Sequence, residues 1–128
     1  MSYDLSILNT ESPLQATDWG GLQSFLAQMP DMKALDSRRF EYDDGMYMPT
    51  FWLDYADEEG NSLLYDLETF EPLDENDERI KGKVNKIDVS LPFSADLWGT
   101  MMVCIEIAEH LGWKVLDHQT GEYYPLPE

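Results

Sequence analysis

Cysteine is nearly absent from this chain of 128 residues: Cys104 stands alone, so no intramolecular disulfide can form. Its setting in the apolar run "MMVCIEIAEHLGW" suits a buried packing thiol rather than an activated nucleophile. Bases are scarce as well. Eight Lys and Arg face 26 Asp and Glu, a formal charge of −18 at pH 7. That balance excludes direct nucleic-acid binding, because phosphate contacts require Lys and Arg to displace counterions, and it opposes anionic membranes equally. No apolar run approaches the roughly 18 residues of a spanning helix, so no transmembrane segment is expected. The opening "MSYDLSILNTESP" has an acid at position 4 and no basic n-region, which argues against a signal peptide. A reduced, cytoplasmic setting is the expectation.

Catalytic signatures are missing too. There is no GxSxG, Walker glycine loop or GxGxxG. His110 and His118 lack any CxxC, HxxxH or HExxH context, so no zinc site is expected. Asp74, Asn76 and Glu78 alternate like the first ligands of a calcium loop. Arg79, however, stands where that loop needs Gly, and Asn85 where it needs a bidentate Glu, which excludes an EF-hand. Close carboxylate pairs arise by chance among so many acids and diagnose nothing. The expectation is a protein with no cofactor and no enzymatic activity.

What is present supports a folded domain. Hydrophobic residues make up 43% of the chain, with four Trp, five Phe and seven Tyr, enough for one core without staples. "YDLSIL" alternates from Tyr3 to Leu8 and predicts a first strand. Ser12-Pro13 offers a cap and first helical position, with Leu14, Trp19, Leu22, Phe25, Leu26 and Met29 at helical spacings. Gly20 and Gly21 weaken its middle, which leaves Thr17 or Asp18 as an alternative start, and Pro30-Asp31 closes it. Strands are expected at "RFEYD", "MPTFWLDYAD", "SLLYDLE" and "KVNKIDVSLPF", with turns at Asp44-Gly45 and Gly60-Asn61.

The strongest helical pattern starts at Ser94, with Asp96 in its first turn. Leu97, Met101, Cys104 or Ile105, Ala108 and Leu111 line one face, and Gly112 supplies the left-handed stop. "WKVLD", a turn at Gln119-Thr120-Gly121 and "EYYPL" complete the chain. The order predicts a single α+β domain: a mostly antiparallel sheet with two helices on one face, ferredoxin-like with an elaborated middle.

From Phe40 through Glu78 there is no Lys or Arg, yet 14 acids. Aromatic residues, the preferred anchors of interfaces, are interleaved with them. The candidate partner surface is Trp52, Asp54, Tyr55, Asp57, Glu58, Glu59, Tyr65, Asp66, Glu68, Phe70, Glu71, Asp74, Glu75, Asp77 and Glu78. The competing reading places the aromatics in the core and the acids on the outer sheet face and in loops, where they confer solubility.

Tyr3-Asp4-Leu5 near the start, and Gly112, Trp113, Val115, Asp117, Gln119 and Gly121 near the end, form a pattern "YDL … G-[LW]-x-V-x-D-x-Q-x-G". In this the chain resembles a set of small bacterial proteins, some of which are similar to immunity proteins of toxin systems. His118 departs from the Pro common at that position. The resemblance implies a small α+β inhibitor that occludes a basic toxin domain. The expected partner is therefore a basic protein, and a homodimer is compatible with the sequence. Two other functions stay open: a scaffold whose acidity serves solubility, and a nucleic-acid mimic that titrates a DNA-binding protein.

Overall fold

The structure is a computed structural model that describes residues 2–12, 15–36, 38–43, 45, 48–59, 61–66, 68–74, 76–92 and 97–124. The strands are β1 (Ser2–Leu8), β2 (Thr17–Asp18), β3 (Met32–Ala34), β4 (Arg39–Tyr42), β5 (Thr50–Asp54), β6 (Lys83–Val84), β7 (Lys86–Pro92), β8 (Lys114–Asp117) and β9 (Tyr123–Tyr124). The helices are α1 (Trp19–Ala27) and α2 (Leu97–Leu111). Seven strands form one sheet in the order β3-β4-β5-β7-β1-β8-β9, with antiparallel neighbours throughout. Strands β2 and β6 make a separate pair. Thus the α+β class with a mostly antiparallel sheet holds, although the sheet is wider than a four-stranded ferredoxin-like core.

Period-two alternation decides which face is buried. Leu5 and Ile7 of β1, Phe40 of β4, Phe51 and Leu53 of β5, and Ile87, Val89 and Leu91 of β7 point into one core. Leu22 and Leu26 of α1, with Met101, Cys104, Ile107 and Ala108 of α2, close it from above. The helices meet where the Phe25 ring stacks on His110, centroids 3.8 Å apart. Burial pushes the Cys104 thiol far above its ordinary range, as a packing role requires. No helix among the described residues is long and apolar enough to cross a membrane.

Asp18 caps α1, its carboxylate accepting the Gly21 N–H at 2.8 Å, so the helix starts at the later of the two expected positions. A side chain at Gly21 would meet that carboxylate at 3.2 Å, which gives the glycine a local reason. Gly112, at φ 73, ends α2 as anticipated. Ser94 and Asp96, the expected start of α2, lie outside the described residues, as do Pro13, Leu14, Asp44 and Gly60.

Two expectations need correction, and one strand was not expected. "SLLYDLE" forms no strand among its described residues, where the pairing is confined to isolated bridges Ala56↔Ser62 and Tyr65↔Pro72. The Asp66 carboxylate accepts the N–H groups of Glu68 and Thr69, and this local turn outcompetes extension. "KVNKIDVSLPF" is broken at Asn85, whose amide pairs with both backbone groups of Ala56 at 2.8 Å. β3, a short strand after Asp31 at φ 62, had no alternating pattern to announce it.

Candidate partner-binding surface

The acids of the block from Asp57 onward lie in an excursion between β5 and β6, and specific contacts order it. Leu63 N–H donates to Tyr55, Leu73 N–H to Leu64 and Asp66 N–H to Glu71, folding residues 55–73 back on themselves twice. Leu64 and Ile80 are buried and seat the excursion on the domain. Arg38, only 6% exposed, ties it down. Its guanidinium donates to the carbonyls of Leu53 (3.2 Å), Lys83 (3.0 Å) and Ile80 (3.1 Å), and it lies 5.1 Å from the Trp19 ring centroid. β5, β6 and the end of the excursion are thereby joined by one side chain.

The candidate acids divide by residue type. Aspartates fold the loops: Asp57 accepts Glu59 and Asn61 N–H groups, Asp66 those of Glu68 and Thr69, Asp74 that of Asn76, and Asp77 that of Arg79. The short side chain of Asp reaches its own backbone two residues on, whereas Glu is too long. Glu58, Glu59, Glu68, Glu71 and Glu78 are exposed. Glu75 lies outside the described residues.

Asp54 is withdrawn from the surface. It is 4% exposed, accepts the Ser62 hydroxyl at 2.7 Å and stands 4.0 Å from Lys86, so it serves the fold and is not a surface group. Hydrogen bonds from the Arg79 side chain hold the Asp77 carboxyl down to about 2, and two backbone N–H groups lower Asp66.

The aromatic candidates also separate. Phe70 is 80% exposed and Tyr65 40%, while Trp52 and Tyr55 are half-buried. Phe70 has φ 59, a conformation disfavoured for a bulky residue, and its N–H donates to the Asp66 carbonyl at 2.8 Å. A cleft of about 630 Å³, whose lining does not include Phe70, is walled by Tyr55, Leu63, Tyr65 and Leu73, with Asp66, Glu68 and Arg79 as its polar groups. A neighbouring depression of about 230 Å³ shares Tyr65 and Leu73 and reaches Trp52 and Arg38. These clefts bring Trp52, Tyr55, Tyr65, Asp66 and Glu68 near one another, and leave Asp57, Glu58, Glu59, Asp74 and Glu78 outside their linings.

A polar cluster on the uncovered sheet face escaped the sequence reading. The Ser6 hydroxyl, 1% exposed, lies 2.8 Å from Asp88 and 2.7 Å from His118 Nε2. Serine, histidine and aspartate suggest a catalytic triad, but the order of contacts is wrong. A hydroxyl has one proton. With Asp88 as its acceptor, the His118 tautomer that completes the cluster donates Nε2–H to Ser6, and Asp88 contacts the serine and not the histidine that a triad aspartate would orient. The cluster clasps β7, β1 and the turn after β8. The cross-strand pair Ser6↔Asp88 was implicit in the alternation of the two strands, whereas His118 carried no pattern.

The two ends that carry the family-like pattern meet in space. Tyr3 donates its hydroxyl to Asp117 at 2.5 Å, and β1 pairs with β8 in the register Leu5↔Asp117. Asp117 also accepts Gln119 N–H at 2.9 Å, while Gly121, at φ 74, donates N–H to the Asp117 carbonyl. The hydrogen bond to Asp117, aided by burial, raises the Tyr3 phenol to about 12. Every matched residue with such a contact serves strand pairing or a turn. Among the described residues no group of three or more His, Cys, Asp or Glu is placed to hold a metal ion. Comparison of the chain with protein-family models, curated proteins and solved structures returns no match.

Proposed function

We propose that this chain is a non-enzymatic binding protein of the immunity or inhibitor type, which covers a basic surface of a protein effector with its acidic excursion. The observation that carries the reading is an ordered acidic surface: buried Leu64, Ile80 and Arg38 hold the excursion, while Glu58, Glu59, Glu68, Glu71, Glu78 and Phe70 face solvent. A fixed field of one sign steers a partner of the opposite sign, and an exposed aromatic supplies an anchor.

The informative variant neutralises Glu58, Glu59, Glu68, Glu71 and Glu78 together as Gln and spares the aspartates that fold the loops. Capture at low salt from a bacterial lysate should recover a basic protein on the wild-type chain. Stopped-flow association with that protein should be slower and less salt-dependent for the variant. Recovery of no basic partner, or equal rates, would overturn the reading.

The aspartate turns favour a second reading, a scaffold whose acids serve folding and solubility. On that reading the same variant precipitates more readily and loses no partner.

A further inference from the structure

We propose that the cleft beside Tyr65 is an arginine pocket: it receives a guanidinium side chain of the partner, stacked on the Tyr65 ring and paired with Glu68. The proposal rests on the reading above and names the chemistry that the surface would recognise.

Three observations converge on it. First, an open concavity of about 630 Å³ sets walls from Tyr55, Leu63, Tyr65 and Leu73 against three charged side chains. Secondly, its polar groups leave a net negative lining. Arg79 is already bound through two nitrogens to Asp77, at 3.0 and 2.8 Å, and its charge also acts on Asp66, whose carboxylate accepts two backbone N–H groups, whereas Glu68 enters no ion pair among the described residues. Glu68 is therefore the carboxylate of the lining left to pair with an incoming cation. Thirdly, the fold already stacks cations on rings: Arg38 lies over Trp19 at 5.1 Å and Lys83 over Tyr55 at 5.6 Å.

Arginine fits better than lysine. Its planar guanidinium stacks on an aromatic face and offers parallel N–H donors to a carboxylate, while the lysine ammonium is a compact, strongly hydrated charge. Tyr65 is presented for this role by the Tyr65↔Pro72 bridge and the Leu73-to-Leu64 hydrogen bond, which fix its backbone and leave the residue 40% exposed.

The test uses fluorescein-labelled nona-arginine and nona-lysine as probes, titrated at low salt into the full chain and into Tyr65→Leu, Tyr65→Phe and Glu68→Gln. Nona-arginine should bind the wild type about tenfold more tightly than nona-lysine, the size expected for a partly desolvated cation–π contact. Tyr65→Leu should abolish that preference while leaving nona-lysine binding in place, and Tyr65→Phe should retain it. Glu68→Gln should weaken nona-arginine more than nona-lysine. Equal affinity of the two peptides, or a preference that survives Tyr65→Leu, overturns the pocket but leaves the acidic partner surface standing. Failure of both peptides to bind overturns the pocket and the partner surface together.

Discussion

Arg38 is the residue whose removal should tell most about this fold. Replacement by Met keeps an unbranched apolar stem and deletes the guanidinium. Three carbonyls, of Leu53, Ile80 and Lys83, then lose a charged donor, and Trp19 loses its stacked cation. A hydrogen bond from a charged group contributes about 1.5–3 kcal/mol, and a buried acceptor left without a donor costs about 1–3 kcal/mol. The Ile80 carbonyl keeps the Lys83 N–H at 3.1 Å, and Arg38 borders an open depression of about 230 Å³, so the three losses do not sum in full. The expected destabilisation is about 3–5 kcal/mol, a large fraction of the roughly 5–15 kcal/mol available to an ordinary domain.

Urea unfolding followed by tryptophan fluorescence measures that loss, and amide exchange locates it. Protection should fall first at residues 55–82, which Arg38 fastens, and least at β1 and β7. Arg38→Lys should recover only part, since one ammonium cannot span three carbonyls. A loss below about 1 kcal/mol, or exchange that rises uniformly over the sheet, would refute the idea that this side chain holds the excursion in place.

The division between aspartate and glutamate predicts that Asp57→Ala costs about 1 kcal/mol, by loss of a turn cap with two N–H donors, whereas Glu58→Ala stays within about 0.5 kcal/mol; paired urea titrations compare them. Tyr3 is raised in the fold from 10.0 to about 12, so its neutral form stabilises the native state below pH 10, and that contribution disappears as pH climbs from 10 to about 12. Melting temperature should fall over that window in the wild type and less steeply in Tyr3→Phe. The Asp77 carboxyl, lowered from 3.8 to about 2, has the opposite sign: its contribution is present above pH 3.8 and fades towards pH 2, and Asp77→Asn should flatten that acid limb. Raising ionic strength from about 0.01 to about 0.15 M shortens the screening length from about 30 to about 8 Å, which should raise the melting temperature of a chain with charge −18.

The regular elements were legible because periodicity reports burial. Leu5 and Ile7, Ile87, Val89 and Leu91, and the stripe from Leu97 through Ala108 all alternate or recur at the spacing of the element that they form. The excursion was not legible in that way. "SLLYDLE" has the composition of a strand, yet Asp66 and Ser62 divert its backbone into local hydrogen bonds that no hydrophobic pattern records. Arg38 and Asn85 were overlooked for a related reason. A buried polar side chain is identified by carbonyls and amides from distant segments, here up to 45 residues away, and those partners are absent from any sequence window. Asp54 was grouped with the surface acids because charge was counted along the chain, whereas β5 turns that residue inward between Ser62 and Lys86.

The placement of the bases determines which acids can act at a distance. Arg38 is committed to carbonyls and Lys83 to the Tyr55 ring. Arg39 pairs with Asp36 at 2.7 Å, Arg79 with Asp77 at 2.8 Å, and Lys86 with Asp88 at 3.5 Å and Asp54 at 4.0 Å. Every ion pair among the described residues thus neutralises an aspartate, and no glutamate enters one. Asp36, Asp54 and Asp77 are doubly tied, to backbone N–H groups and to a base, so their charge is compensated locally, whereas Asp57, Asp66 and Asp74 are tied to backbone N–H groups alone. Glu58, Glu59, Glu68, Glu71 and Glu78 enter no ion pair among the described residues. A basic partner would therefore meet a field generated by these five glutamates together with Asp57, Asp66 and Asp74, a smaller set than the net charge suggests, and its glutamates can be altered without disturbing the turns beneath them.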